Sequence, residues 1–274
     1  IDLGGTASHT AIIARSMGIP TVMSLRDISI VLKPGQKVYV DGYQGIATWK
    51  VRRDEKSEME HLRDEYISLE ERLLGFSKLS GVTKDKKTIS VRANIELASE
   101  VKIAKKYGAE GIGMYRTEFL FTRKEQFPST EEQRIDYLSL FEDNLFDEIT
   151  IRTLDTGGDK ARDVNEQEEN PALGLRGIRY SLANREVFSS QISAILSTAQ
   201  DSNKKVRILL PMISTLDEII ESINLINDLK RNFSLNNNIS IGIVIETPSA
   251  AMLIHEICNY VDFLSIGTND LMQY

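Results

Sequence analysis

The sequence predicts an α/β protein in three parts: a small α/β piece, a long helix, and most of a (β/α)8 barrel. Three observations carry that expectation. From about residue 88, short β-branched runs alternate six times with helical patterns, the signature of parallel strands joined by right-handed crossovers. Residues 52–79 are charge-rich, with Met59, Leu62, Tyr66, Leu69 and Leu73 spaced three or four apart, which lays one apolar stripe along a helix. The residues before them combine a short helical pattern with a hairpin pattern. Six strand–helix units suit an eight-unit barrel with two units missing; a doubly wound open sheet is the alternative.

The elements follow in order. A helix is expected from about Ser8 to Met17, stopped by Gly18 with Pro20 beyond it. "KVYVDGYQGIATWKV" reads as two strands turning at Asp41-Gly42 and Gly45. The long helix either packs its stripe on a neighbour or connects two moving domains. The repeating region pairs "TISVRANI" with "ELASEVKIAKKYG", "GIGMYRTEFLF" with "TEEQRIDYLSLFEDNL", and "ITIRTLDT" with "RGIRYSLANREVFSSQISAILSTAQ". "VRILLPMI" precedes "TLDEIIESINLINDLKRNF", "ISIGIVIET" precedes "PSAAMLIHEIC", and "VDFLSIG" precedes "TNDLMQY". The expected domains are 1–51, a helical linker 52–83, and an incomplete barrel 84–274.

Composition narrows the function. The 274 residues are 41% hydrophobic and 27% charged, ordinary for a soluble globular chain. A net charge of −7 argues against a nucleic-acid partner, so local arginines must catch any anionic substrate. The single cysteine, Cys258, allows no internal disulfide, fits a cytoplasmic setting and is expected in the core. No apolar run approaches the roughly 20 residues that span a bilayer. The chain begins at Ile1, inside what reads as a motif, so it is expected to be a fragment of something longer.

A barrel carries its chemistry at the C-terminal strand ends. Those ends hold Asn94 and Glu96; Arg116, Thr117 and Glu118; Arg152 and Asp155, then Gly157, Gly158, Asp159 and Lys160; Glu246 and Thr247; and Asn269 and Asp270. Arg176 and Arg179 follow in "NPALGLRGIR". An arginine at a strand end is often only an ion-pair partner, but arginines on adjacent strands also suit bidentate capture of phosphate or carboxylate. Glu246 and Asp270, on neighbouring strands, suit Mg²⁺, which takes one or two protein carboxylates and fills its other positions with substrate oxygens and water. The residues therefore point to Mg²⁺ beside an anionic, phosphorylated substrate.

His9 follows Gly4-Gly5 and falls in the first turn of its helix. The unpaired N–H groups and positive end there attract anions and keep an imidazole neutral. A neutral imidazole can accept a phosphoryl group, and Arg15 could reach back towards it. The plain alternative is a capping histidine without chemistry.

"GGTASHTAIIARSMGIP" resembles the phosphohistidine motif of the enzymes that use phosphoenolpyruvate as phosphoryl donor or product. These include Enzyme I of the sugar phosphotransferase system, pyruvate phosphate dikinase and phosphoenolpyruvate synthase. "GMYRTEFLF", "RTLDTGGDK", "ENPALGLRGIR", "LLPMIS", "IVIETPSAA" and "FLSIGTNDLMQY" resemble that family's barrel blocks. The short distance between "RTLDTGGDK" and "ENPALGLRGIR" looks most like Enzyme I. The resemblance implies a swivelling phosphohistidine domain joined by the long helix to a phosphoenolpyruvate-binding barrel. It implies His9 as phosphorylated nucleophile, Arg116, Arg152 and Arg176 as phosphate clamp with Lys160 nearby, Glu246 and Asp270 as Mg²⁺ ligands, and Asn269 as a substrate-orienting residue. Phosphoenolpyruvate would phosphorylate His9 and leave as pyruvate, and the phosphoryl group would pass to the carrier protein HPr. A homodimer through the barrel is also implied. The other readings are a dikinase or synthase fragment and a non-catalytic regulatory remnant.

The chain departs from the family pattern in places. Ala7 stands where the family usually has threonine, which implies slower phosphorylation of His9. The family's last barrel segments, with a further arginine and a cysteine, have no counterpart before Tyr274, and Cys258 does not match that cysteine. The chain alone is therefore expected to be inactive.

Overall fold

The computed structural model describes residues 1–5, 9–16, 18–122, 126–156, 174–235 and 238–274, without the side chains of residues 9, 12, 15, 16, 53 and 54. Two compact units emerge: residues 1–89 with 102–108, and residues 90–101 with 109–274.

The first unit begins with α1 (His9–Ser16), α2 (Ile28–Val31), β1 (Tyr39–Asp41) and β2 (Ile46–Thr48). β1 and β2 form the expected antiparallel hairpin, with Asp41 opposite Ile46. Asp41 Oδ1 accepts the N–H groups of Tyr43 and Gln44, both at 2.9 Å, the local bonding that makes aspartate a turn residue. α3 (Arg53–Phe76) is 24 residues long, about 36 Å at the α-helical rise. Its first turn is closed by Glu55, which accepts from the Arg52 N–H at 3.0 Å and from Arg52 Nε at 3.0 Å. Lys56–Glu60 and His61–Glu65 pairs at i,i+4 add support, a few tenths of a kcal/mol each. The apolar stripe is real but unburied: Leu62, Tyr66, Leu69 and Leu73 are all exposed, Tyr66 at 66%. Propensity, capping and ion pairs shape this helix, and the expectation of a packed stripe is not met. β3 (Gly81–Val82) and β4 (Thr88–Ile89) form a second small hairpin.

The chain continues through β5 (Ala93–Ile95), α4 (Glu100–Lys106), β6 (Ile112–Arg116), α5 (Glu118–Thr122), α6 (Thr130–Ser139) and β7 (Glu148–Arg152). Then come α7 (Ile178–Ala183), α8 (Arg185–Ser202), β8 (Lys205–Leu210), α9 (Leu216–Lys230) and β9 (Ile239–Ile245). α10 (Pro248–Met252), α11 (Ile254–Ile257), β10 (Phe263–Ile266) and α12 (Thr268–Leu271) complete it. The six strands β5 to β10 form one parallel sheet whose spatial order is the chain order. A doubly wound sheet reverses direction from its middle strand; this one never reverses, so it is the barrel topology over six of eight strands. β8 and β9 are buried on both faces, as parallel strands between covering layers must be. Ile149, Ile151, Ile192, Ile195, Val206, Ile208 and Ile243 are fully buried and form the sheet-to-helix core.

Several boundaries differ from the sequence reading. "TISVRANI" divides: Thr88–Ile89 pairs with β3, and only Ala93–Ile95 joins the parallel sheet. "GIGMYRTEFLF" is strand only to Arg116, because Leu120 and Phe121 donate back to the Thr117 carbonyl and start α5. The helix expected after residue 175 breaks at Asn184 (φ −117°, ψ 63°) into α7 and α8. Cys258 is exposed, not in the core: Ile257 takes the buried place in that turn, and the C-terminal residue of the helix turns outwards.

A candidate anion and cation site at the strand ends

Parallel strands bring all their C-terminal ends to one edge, and that edge carries the charged residues. Arg116 and Arg152 end β6 and β7 and stand directly opposite each other in register. Each guanidinium meets carboxylates. Arg116 Nη1 lies 3.0 Å from Glu96 Oε1. Arg152 Nη2 lies 2.8 Å from Glu118 Oε1, and its Nη1 lies 3.0 Å from Asp155 Oδ2. Arg176 holds both oxygens of Asp155, through Nε at 3.0 Å and Nη2 at 3.1 Å, and reaches Asp270 Oδ1 with Nη1 at 2.7 Å. Arg152, Asp155, Arg176 and Asp270 thus form one continuous ion-pair chain from β7 to α12.

Burial alone would lower the Arg152 pKa, but Glu118, Asp155 and Glu246 outweigh it and the net shift is upward. Arg176 behaves the same way, with burial opposed by Asp155 and Asp270. Both arginines stay charged. The Nε groups of Arg116 and Arg152 are nonetheless buried with no hydrogen-bond partner among the described residues. A buried donor left unmade costs about 1–3 kcal/mol. Two such donors on adjacent strands are an invitation to an anion's oxygens.

Glu246 directly follows β9 and is 1% exposed. Its Oε1 accepts the Met212 N–H at 2.6 Å, and Met212 has a left-handed backbone (φ +58°). Two glycines make room. A Cβ on Gly177, itself at φ +58°, would lie 2.8 Å from Met212 Cβ and Cγ; one on Gly267 would lie 2.7 Å from Glu246 Cβ and Oε2. Gly177→Ala is therefore expected to destabilise the fold by about 2 kcal/mol or more, from backbone strain plus overpacking. Urea unfolding measures it, and an unchanged midpoint contradicts the close packing.

Burial, joined by the nearby charges of Asp155 and Asp270, pushes the Glu246 pKa up to about 7, against the Met212 N–H and Arg152. The sign follows from linkage. Unfolded, the carboxyl titrates near 4.3, so between about pH 4.3 and 7 the folded chain holds a proton that the unfolded chain releases. Stability from this group is full below that window and declines as pH rises through it, by about 4 kcal/mol in all. In metal-free buffer, Glu246→Gln is expected to lack this decline and to exceed the wild type in stability at pH 8. Urea midpoints at pH 5 and 8 decide it: an equal pH dependence in both proteins removes Glu246 as the cause.

Among the described residues, no group of three or more His, Cys, Asp or Glu side chains is arranged to hold a metal. Mg²⁺ needs no more than two carboxylates. Glu246 and Asp270 lie at the same end of paired strands, where Gly267 N–H donates to the Ile245 carbonyl. Their mutual charge raises Glu246, so the oxygen donors and the excess of negative charge fit a hard divalent cation. Asp270 would have to exchange its Arg176 contact for it.

The expected site residues divide as follows. Arg116, Arg152, Arg176, Glu246 and Asp270 come together, with Asn269 beside Asp270 on α12 and exposed. His9 is the first residue of α1 and Arg15 lies in the same helix, both in the other unit and both without described side chains. Lys160, with Gly157, Gly158 and Asp159, lies outside the described residues. Sequence reasoning placed Glu96, Glu118 and Asp155 at the strand ends but gave them no partners, and it missed the Met212 N–H. The block "LLPMIS" was its one signal for Met212.

A parallel sheet in chain order, rimmed by arginines and carboxylates, defines a partial α/β-barrel protein with a charged rim at its strand ends. Residues 71–274 match the PEP-utilising enzyme, PEP-binding domain, and residues 1–45 match the PEP-utilising enzyme, mobile domain. The chain belongs to the PEP-utilising enzymes. Similar proteins named phosphoenolpyruvate-protein phosphotransferase occur in Mycoplasma pneumoniae, at 36% identity over 275 residues covering 100% of this chain and 48% of the relative. Buchnera aphidicola has one at 37% over 280 residues, with 100% and 48% covered. Borreliella burgdorferi has one at 37% over 281 residues, with 99% and 48% covered. The chain spans about half the length of these relatives. Among the described residues, no helix is long and apolar enough to cross a membrane.

Proposed function

We propose that the chain is the donor-side portion of a phosphoenolpyruvate–protein phosphotransferase. Residues 1–51 would be the phosphohistidine carrier, 52–83 the connector, and 84–274 the phosphoenolpyruvate-binding barrel. The observation that carries this reading is the pair of buried Nε donors on Arg116 and Arg152, with no partner among the described residues, on strands in register. Those donors, with Arg176 and Lys160, would hold the phosphate, and Asn269 would orient the substrate. Glu246 and Asp270 would hold Mg²⁺, which supplies further neutralisation of the substrate's negative oxygens when bound.

The reaction is an in-line displacement. An imidazole nitrogen of His9 forms the N–P bond, the enol C–O–P ester breaks at phosphorus, and the enolate takes a proton to become pyruvate. Positioning and charge neutralisation supply most of the rate in such transfers. Arg15 would steady the phosphoryl group on the carrier. The carrier would swivel on α3 between the barrel mouth and the acceptor, whose histidine takes the phosphoryl group; HPr is the acceptor, a barrel-mediated homodimer the assembly and the cytoplasm the setting in this proposal.

The test is labelling of the full-length gene product with radioactive phosphoenolpyruvate and Mg²⁺. A protein-bound label, lost in acid and kept in base, is expected, with one pyruvate formed per label. A protein that takes up no label overturns the proposal.

A further inference from the structure

The rim arginines stand on a buried hydrogen-bond network that the phosphoryl-transfer chemistry does not itself use. Gln191, on α8, is 1% exposed. Its Oε1 accepts the Leu154 N–H at 2.9 Å. Its Nε2 donates to Thr117 Oγ1 at 3.2 Å and to the Tyr137 hydroxyl at 3.3 Å. Both amide hydrogens and the carbonyl are therefore used, and the reversed amide would set two donors against each other at Leu154. The network continues outwards. Thr117 Oγ1 donates to the Arg152 carbonyl at 3.0 Å, and the Tyr137 hydroxyl donates to Gln133 Oε1 at 3.2 Å. Gln133 in turn donates to the Pro128 carbonyl at 3.0 Å. Thr117 and Tyr137 are fully buried and Gln133 is 1% exposed.

Apart from the Tyr137 hydroxyl, each atom that Gln191 or Thr117 holds sits in or next to a residue of the anion clamp. Thr117 lies between Arg116 and Glu118. Leu154 precedes Asp155, the shared counter-charge of Arg152 and Arg176. The Arg152 carbonyl belongs to the clamp itself. One side-chain amide thus ties the ends of β6 and β7 to each other and to a helix behind the sheet. Fully satisfied buried networks of this kind hold one geometry.

We propose that Gln191 is a positioning residue for phosphoryl transfer: through Thr117 and Leu154 it sets the separation and aim of Arg116 and Arg152. This rests on the function proposed above. Gln191 touches no substrate, so its effect appears as misplacement of the clamp, and a misplacement of about 1 Å can cost on the order of 100-fold in rate.

The test uses the full-length protein with phosphoenolpyruvate and Mg²⁺, comparing Gln191→Leu, Gln191→Glu and the remote core variant Ile226→Val. Gln191→Leu keeps the bulk and loses all three bonds; initial labelling rates are expected to fall about 10- to 100-fold, with a raised KM for phosphoenolpyruvate. Gln191→Glu is the conservative rescue. Its neutral carboxyl keeps the acceptor and one O–H donor, whereas its carboxylate keeps no donor. Its rate relative to wild type at the same pH is expected to rise as pH falls, while the Gln191→Leu ratio stays flat. Ile226→Val, unfolding earlier than wild type, should keep wild-type rate and KM. Wild-type kinetics in Gln191→Leu overturn the proposal. So does a loss in both Gln191 variants that is independent of pH and matched by Ile226→Val at equal loss of stability. A wild type that takes no label sinks the function proposed above, and this inference with it.

Discussion

His9→Ala is expected to abolish labelling by phosphoenolpyruvate and to leave the barrel's stability unchanged. The sequence has three histidines. His61 lies exposed in the middle of α3, 3.3 Å from Glu65 and away from any helix N-terminus. His255 is exposed in the four-residue helix α11. His9 alone opens an eight-residue helix after a Gly-Gly pair. The free N–H groups of a helix's first turn can receive phosphate oxygens, and the positive end of the helix disfavours a charged ring. His9→Gln keeps a polar amide of similar reach but no nucleophile, and should also take no label. His61→Ala and His255→Ala should label like wild type. Mapping of the label settles the point: phosphate on a peptide lacking His9, or undiminished uptake by His9→Ala, removes the carrier assignment.

The fold was legible where the hydrophobic pattern alone decides structure. "VRILL" and "ISIGIVI" are continuous apolar runs, and β8 and β9 are buried on both faces. Alternation of strands with helices gave the parallel order because a crossover leaves little choice of hand. The misread boundaries are places where tertiary contacts choose. Thr117 ends β6 because its side chain is committed to the Arg152 carbonyl and its own carbonyl starts α5. Nothing in "YSLANREV" distinguishes a continuous helix from the break at Asn184. The exposed stripe of α3 shows the limit of periodicity, which gives the face of a helix but not what covers it.

The site was legible as a set of residue types and not as a set of pairs. Arginines and carboxylates at strand ends can be counted from sequence, because strand ends are where a barrel exposes side chains. That Asp155 would serve Arg152 and Arg176 together depends on the turn that follows β7, and no spacing encodes it. The left-handed Met212 has still less local signal, since a non-glycine residue there is held by its neighbours and not by its own preference. The structure adds one chemical fact to the sequence reading: Arg116, Arg152 and Arg176 already hold carboxylates. A phosphate entering the rim must displace Glu118 and Asp155 from Arg152, or share it with them.

Arg152→Ala is the sharpest probe of that competition. The wild-type side chain is 12% exposed and holds two carboxylates with Nη1 and Nη2, leaving Nε for a ligand. Its removal strands Glu118 in a mostly buried site, while Asp155 keeps Arg176, and breaking a buried pair from one side costs about 3–5 kcal/mol. Turnover should fall about 100-fold or more, the usual effect of losing one preorganised electrostatic donor. Because lost folding and lost chemistry both reduce labelling, Arg152→Lys is the second variant. Lysine keeps one positive charge near the carboxylates but cannot span both of them and present a third donor. It should therefore recover most of the stability and little of the rate. Thermal melting and single-turnover labelling of the folded fraction separate the two quantities. If Arg152→Lys labels at the wild-type rate, a point charge is enough and the three-way guanidinium geometry has no part in the transfer; if Arg152→Ala does so too, Arg152 is only an ion-pair strut.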